Sequence, residues 1–279
     1  MEVLVAKTAG FCMGVQRAVK MALEAPHFLL EPIYTIGSLI HNPQVLEDLR
    51  KKGIQTLSEI PQKGHGTVLI RAHGVPPKVR EELTMAGFQI ADATCPKVIK
   101  VQTIIAYYAQ KGHRVIIVGE AHHPEVIGLL GFAQNLGVVV SDLNELQKLP
   151  LFENAIVVAQ TTQSRMEYDK IKKWLQKNVP YYIIFSTICA STKDRQKEVE
   201  KIMNQVDALI VVGGFNSGNT RRLVQIGQKS GKPTYHVETE IELNMKELFS
   251  FSRIGITTGA STPNWVIQRV IDKITQECK

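Results

Sequence analysis

Three cysteines stand alone in this chain, Cys12, Cys95 and Cys189, and a fourth, Cys278, lies one residue from the end. None belongs to a Cys-x-x-Cys knuckle, which argues against a zinc ribbon. Taken singly, a cysteine is most often an inert buried thiol. Three thiolates delivered from separate loops to one point would instead hold a 4Fe–4S cluster, leaving one iron without a protein ligand where the usual set is four. An open iron is a Lewis acid that can take a substrate oxygen. The same three thiolates would also hold zinc with water as the fourth ligand, and the residues leave both readings open.

A second group of residues has the chemistry of anion recognition. His41, His73, His123, Ser217, Asn219 and Ser261 each sit in a short polar segment. Several of these segments open helices, so peptide N–H groups and the positive helix end would join them around a phosphate or diphosphate. The Gly-x-x-x-x-Gly-Lys-Ser/Thr nucleotide loop is absent, and Gly213-Gly214 is a weak signal for a dinucleotide. Glu125, two residues after His123, is the one carboxylate in these segments with no obvious basic neighbour. Buried beside a diphosphate, its pKa would rise through desolvation and like-charge repulsion, making it a proton donor. The competing reading is a helix-opening glutamate worth only about 0.3–1 kcal/mol of dipole stabilisation. His27, His65 and His113 read as structural imidazoles, and His122 has no assigned role.

The elements that must position these residues alternate. Short β-branched runs predict strands over 3–6, 33–36, 68–71, 88–91, 115–118, 138–140, 156–159, 182–185, 209–212, 234–237 and 253–257. Segments such as 78–85, 98–110, 166–177 and 193–205 carry apolar residues at helical spacing. Alternating β and α at this rhythm means parallel sheets covered by helices. The unusual polar residues fall just after strand ends, where open α/β sheets bind their ligands. They also sort into thirds, each with one cysteine. The expected architecture is α/β: three similar domains with mostly parallel sheets around a pseudo-threefold axis, each contributing one thiolate. Their bounds would be 13–95, 96–189, and 190–279 together with the N-terminal strand 1–12.

Bulk properties agree with an ordinary folded chain, 279 residues long, 44% hydrophobic and 21% charged. The net charge of +7 is spread over what read as solvated helix faces, without the dense stripe or module of a nucleic-acid binder. No apolar run reaches the roughly 20 residues of a membrane span. The first residues lead directly into a strand with no basic n-region, so the cytoplasm is the expected compartment, where disulfide frameworks are rare.

Several segments together carry a family resemblance. Gly10-Phe-Cys-Met-Gly-Val-Gln-Arg-Ala18, Ile40-His-Asn-Pro43, Arg71-Ala-His-Gly-Val75 and Asp92-Ala-Thr-Cys-Pro96 resemble the LytB/IspH family of 4-hydroxy-3-methylbut-2-enyl diphosphate reductases. So do His123-Pro-Glu-Val126, Gln160-Thr-Thr162, Cys189 with Arg195-Gln196, Asn216-Ser-Gly-Asn-Thr220 and Gly259-Ala-Ser-Thr-Pro263. The match runs from Cys12 to Pro263 in order.

The resemblance implies a pseudo-threefold cloverleaf of the three α/β domains around a central iron–sulfur cluster, a 4Fe–4S cluster on Cys12, Cys95 and Cys189, and a diphosphate held among His41, His73, His123, Ser217, Asn219 and Ser261. It implies proton relay to the substrate hydroxyl by Thr161 and Glu125. Two electrons from a donor such as ferredoxin or flavodoxin would release that hydroxyl as water, giving isopentenyl and dimethylallyl diphosphate. Many members of the family have a second serine at the position of Gly218, whose peptide N–H would here replace a hydroxyl at the diphosphate. Cys278 matches no ligand position and reads as a tail thiol. Two other functions fit fewer of these residues: an iron–sulfur redox sensor without turnover, and a zinc hydrolase with a three-cysteine site.

Overall fold

The computed structural model describes residues 1–277; Cys278 lies outside them. Continuous apolar runs such as Val115-Ile-Ile-Val118 and Ala155–Ala159 are what parallel strands covered on both faces require, and both segments are buried strands here. Among the described residues the strands are β1 (Glu2–Val5), β2 (Ile33–Ile36), β3 (Gln55–Leu57), β4 (Thr67–Ile70), β5 (Gln89–Asp92) and β6 (Arg114–Val118). They continue with β7 (Gly137–Val140), β8 (Ala155–Ala159), β9 (Ile183–Ile184), β10 (Ala208–Val212), β11 (Thr234–Val237) and β12 (Arg253–Thr258). The sequence missed only β3, because Gln55 and Thr56 are exposed at a sheet edge and carry no apolar run.

The strands form three parallel sheets with one recurring order. They run β3-β2-β4-β5, β7-β6-β8-β9 and β11-β10-β12-β1, so in each the second strand sits outside the first, followed by the third and fourth. In the last sheet the N-terminal strand takes the fourth place, with Val3 opposite Ile254 and Val5 opposite Ile256. Contacts divide the chain into two compact units. The first holds Met1–Val15, His41–Val45 and the chain from Ala190; the second holds Gln16–Ile40 and Leu46–Cys189.

Within the second unit, alternate residues of β6 and β8 feed two cores. Ile116, Val118 and Val157 pack with Tyr168, Ile171 and Leu175 of the helix Arg165–Asn178. Val115, Ile117, Ile156 and Val158 pack with Val98, Val101 and Ile105 of the helix Pro96–Gln110. In the first unit, Ile210 and Ile256 face Val266, Val270 and Ile274 of the helix Asn264–Glu277, while Leu209 and Val211 face Val199 and Ile202 of the helix Ala190–Ile202. Fully burying one such side chain is worth about 1.5–3 kcal/mol, so each sheet is a rigid base for its loops.

Proline sets where several helices begin. Pro43, Pro77, Pro96 and Pro124 are each the first residue of a helix, where the missing N–H costs nothing and φ is already helical. The residue before each is held out of the helical region. That is why His123 and Cys95 occupy cap positions instead of a helix interior. No helix among the described residues is long and apolar enough to cross a membrane.

Candidate functional site

Strand order decides where the polar residues fall. The first and third strands of each sheet are the inner pair, where successive connections leave in opposite directions and ligands bind at the carboxyl ends. The loops after the inner strands β2 and β4 carry His41 and His73; those after β6 and β8 carry His123, Glu125 and Thr161; those after β10 and β12 carry Ser217, Asn219 and Ser261. The fourth strand of each sheet, β5, β9 or β1, leads into Cys95, Cys189 or Cys12.

The cysteines share a local geometry. Each is followed at once by a helix, Met13–Phe28, Pro96–Gln110 or Ala190–Ile202. Each donates its peptide N–H to the carbonyl two residues beyond the end of its sheet's third strand: Cys12 to Ala260 at 3.0 Å, Cys95 to Ala72 at 2.9 Å, Cys189 to Thr161 at 2.9 Å. Among the described residues none of the three is in a disulfide, and all are half-buried. Soft sulfur donors at the positive ends of helices match the needs of a thiolate-ligated metal group, so this donor set fits an iron–sulfur cluster.

In the second unit Glu125 and Thr161 form a closed pair. Glu125 is 1% exposed. The Thr161 hydroxyl donates to Glu125 Oε2 at 2.7 Å and the Thr161 N–H donates to Oε1 at 2.6 Å. Burial pushes the carboxyl up to about 6, against the opposing pull of those two hydrogen bonds. The neighbouring Gln160 fixes the loop, accepting from the Glu120 N–H at 3.0 Å and donating to the Thr162 hydroxyl at 3.0 Å. Thr187 ties the Cys189 loop to β8, bonding both the N–H and the carbonyl of Ala159 at 2.7 Å.

His123 caps its own helix, its Nδ1 accepting from the Glu125 N–H at 3.1 Å. In the neutral ring the proton therefore sits on Nε2, which can donate. The His73 ring meets His123 edge-on, centroids 5.4 Å apart. His73 lies on a turn closed by Gly74 N–H to the Arg71 carbonyl at 2.9 Å, and Gly74 has φ of +73°, a conformation that favours glycine. Burial lowers the pKa of Arg71, whose Nε donates to the Gly74 carbonyl at 3.2 Å. Arg17 donates to the carbonyls of Thr94 and Asp92 at 3.1 and 3.2 Å, bracing the Cys95 loop.

In the first unit Ser217 caps the helix Gly218–Lys229, accepting from the Thr220 N–H at 3.3 Å. Gly218 is the first residue of that helix and is buried. Asn219 is 2% exposed, and among the described residues neither its Oδ1 nor its Nδ2 has a hydrogen-bond partner. Buried amides without partners are rare and costly. Ser261 Oγ donates to the His41 carbonyl at 3.0 Å.

The Cys12 loop is clamped from the helix Ala190–Ile202. Arg195, 3% exposed, donates to the carbonyls of Gly10 and Thr258 at 2.7 and 3.2 Å. Glu198 accepts from the Thr8 hydroxyl at 2.5 Å and from the N–H groups of Thr8 and Lys7. Burial alone would raise the Glu198 carboxyl, but those bonds and the charge of Arg195 hold it below the usual range.

Each unit thus gathers part of the expected set: Glu125, Thr161, Cys189, His73, His123 and Cys95 in one, Cys12, Ser217, Gly218, Asn219, Ser261 and His41 in the other. The exposed His122 joins neither. The braces Arg17 and Glu198 had no role in the sequence reading. Their contacts join segments 75 and 190 residues apart, which no local pattern reveals.

Comparison with known proteins gives a consistent picture. A family model described as "LytB protein" matches residues 3–275. A relative from Alkaliphilus oremlandii, a "4-hydroxy-3-methylbut-2-enyl diphosphate reductase", is 39% identical over 98% of this chain and 99% of its own. One of the same name from Solidesulfovibrio magneticus is 43% identical over 97% of this chain and 98% of its own. Among solved structures, the "E-1-hydroxy-2-methyl-but-2-enyl-4-diphosphate reductase from Plasmodium falciparum" is similar with a TM-score of 0.93 and 30% identity, covering 98% of this chain and 88% of that one.

Proposed function

This chain belongs to the LytB family, and on that premise we propose that it reduces (E)-4-hydroxy-3-methylbut-2-enyl diphosphate to isopentenyl and dimethylallyl diphosphate. This is the last step of the methylerythritol phosphate route to isoprenoids. The allylic C–O bond breaks, two electrons and two protons are taken up, and the oxygen leaves as water. Cys12, Cys95 and Cys189 would hold one 4Fe–4S cluster, and the three sheets correspond to domains 13–95, 96–189, and 190–279 with 1–12. Bound there, the cluster supplies one-electron transfers and an iron with an open position for Lewis-acid work.

The remaining chemistry belongs to the side chains. His41, His73, His123, Ser217, Gly218, Asn219 and Ser261 bind the diphosphate, and the partnerless amide of Asn219 supports that assignment. Glu125, with a pKa near 6, holds a proton in a water-poor setting, and the Thr161 hydroxyl at 2.7 Å offers the route from it to the departing hydroxyl. The buried Glu125–Thr161 pair is the observation that carries the reading, since a cluster-bearing sensor without turnover has no use for it. Electrons come from a cytoplasmic protein donor such as a ferredoxin or flavodoxin.

The test is anaerobic purification followed by oxidation of reduced methyl viologen. A brown protein that oxidises viologen only when the allylic diphosphate is present is expected. A colourless protein, or a brown one indifferent to the diphosphate, would overturn the reading.

A further inference from the structure

The helix that follows Cys95 has a face that the proposed catalytic chemistry leaves unused. Pro96–Gln110 buries Val98, Val101, Ile105 and Ala109 against its sheet. The opposite face is exposed, and it carries Lys97 and Lys100 beside Ile99, which is 41% exposed, and Tyr107, which is 51% exposed. Lys111 extends this strip, its ammonium 4.1 Å from the centroid of the Tyr107 ring. No acidic residue occurs between Asp92 and Glu120. Asp92 is already occupied by Arg80 and the Thr94 N–H. Neither Lys97 nor Lys100 is in an ion pair among the described residues. A further cation, Arg17, reaches the same loop through the Thr94 and Asp92 carbonyls.

Cations ringing an exposed aliphatic and an exposed aromatic side chain have the makeup of a small transient interface. The charges on this helix face itself are of one sign and begin two residues from a proposed cluster ligand. We propose that this helix face, centred on Lys97, Ile99, Lys100 and Tyr107, docks a small acidic electron-transfer protein of the flavodoxin type. Resting on the reductase reading above, the proposal assigns the entry side for its electrons. At each encounter the reduced donor loses one electron and the cluster beside Cys95 gains it, with no bond made or broken in the donor. The positive face steers the acidic donor to the productive orientation, an effect that salt screens.

The test is the double variant Lys97→Glu/Lys100→Glu, prepared anaerobically with its cluster and compared with the unaltered protein. Turnover is measured with reduced flavodoxin and, separately, with reduced methyl viologen, and the affinity for oxidised flavodoxin is measured at low and high salt. The expected result is a KM for flavodoxin raised on the order of tenfold, with weakened, salt-insensitive binding. Viologen-driven turnover and the KM for the diphosphate should be unchanged. Unchanged flavodoxin kinetics, equal losses with both donors, or no salt-sensitive flavodoxin binding by the unaltered protein would each overturn the docking face. Failure of the unaltered protein with viologen would instead overturn the reductase reading.

Discussion

The Thr161 hydroxyl donates to Glu125 Oε2 at 2.7 Å while its own peptide N–H donates to Oε1 at 2.6 Å. Thr161 also lends its carbonyl to the N–H of Cys189 at 2.9 Å. One threonine therefore ties the proton-holding carboxyl to the loop of a proposed cluster ligand. Glu125 reaches it from the first turn of the helix Pro124–Leu130, where His123 caps the Glu125 N–H.

Glu125→Gln keeps the shape and can accept one of the two hydrogen bonds from Thr161, but it has no acidic proton to give. Turnover with viologen should fall by about 10²–10⁴-fold, while the visible spectrum of the cluster and the affinity for the diphosphate stay as they were. Turnover like that of the unaltered protein would remove Glu125 from the mechanism.

The pH dependence follows from the same carboxyl. Burial raises its pKa from an ordinary 4.5 to about 6, so the neutral, donating form is populated below that value. The ratio kcat/KM should fall as pH rises through about 6, since this profile reports the free enzyme. Stability should follow the same direction. The preference of the folded state for the neutral carboxyl is fully present below 4.5 and lost as pH rises through 6, a loss on the order of 2 kcal/mol. Urea unfolding should show Glu125→Gln gaining stability relative to the unaltered protein over that interval, and a pH-independent difference would contradict the burial account.

Asn219 places a polar amide without partners among the described residues inside a folded core. Asn219→Leu removes two buried polar groups without a partner among the described residues, so the substrate-free protein should be more stable in urea by about 1–3 kcal/mol. The KM for the diphosphate should rise at the same time. A destabilised variant with unchanged KM would mean the amide serves packing only.

Arg195 acts on Cys12 through the carbonyls of Gly10 and Thr258. Arg195→Ala leaves two buried carbonyls short of a donor, and it should lower the iron retained after anaerobic gel filtration and shift the midpoint potential of the cluster. Lysine at the same position, able to serve one carbonyl, should restore part of the iron content. Full iron content and an unaltered potential in the alanine variant would show that the clamp serves the fold alone.

Much of this was legible in the residues. The β-branched runs marked all but one strand, and apolar residues at helical spacing marked the helical segments 78–85, 98–110, 166–177 and 193–205. The edge strand β3 escaped because Gln55-Thr56-Leu57 carries no apolar run. The recurring bond from each cysteine N–H to the loop of its sheet's third strand was invisible, since it depends on strand order and not on spacing. The reach of Arg17 and Glu198 to distant loops was hidden for the same reason. The polar character of the Asn216–Thr220 loop could be read directly, but the missing partners of Asn219 emerged only from the folded surroundings.

The central claim is reductive removal of an allylic hydroxyl, and electron counting against products tests it most directly. The anaerobic protein is supplied with reduced methyl viologen and (E)-4-hydroxy-3-methylbut-2-enyl diphosphate, and viologen loss is compared with the diphosphates formed. Two viologen radicals consumed for each molecule of isopentenyl plus dimethylallyl diphosphate is the predicted result. Viologen oxidation without those products, or release of diphosphate with the hydroxyl still in place, would contradict it.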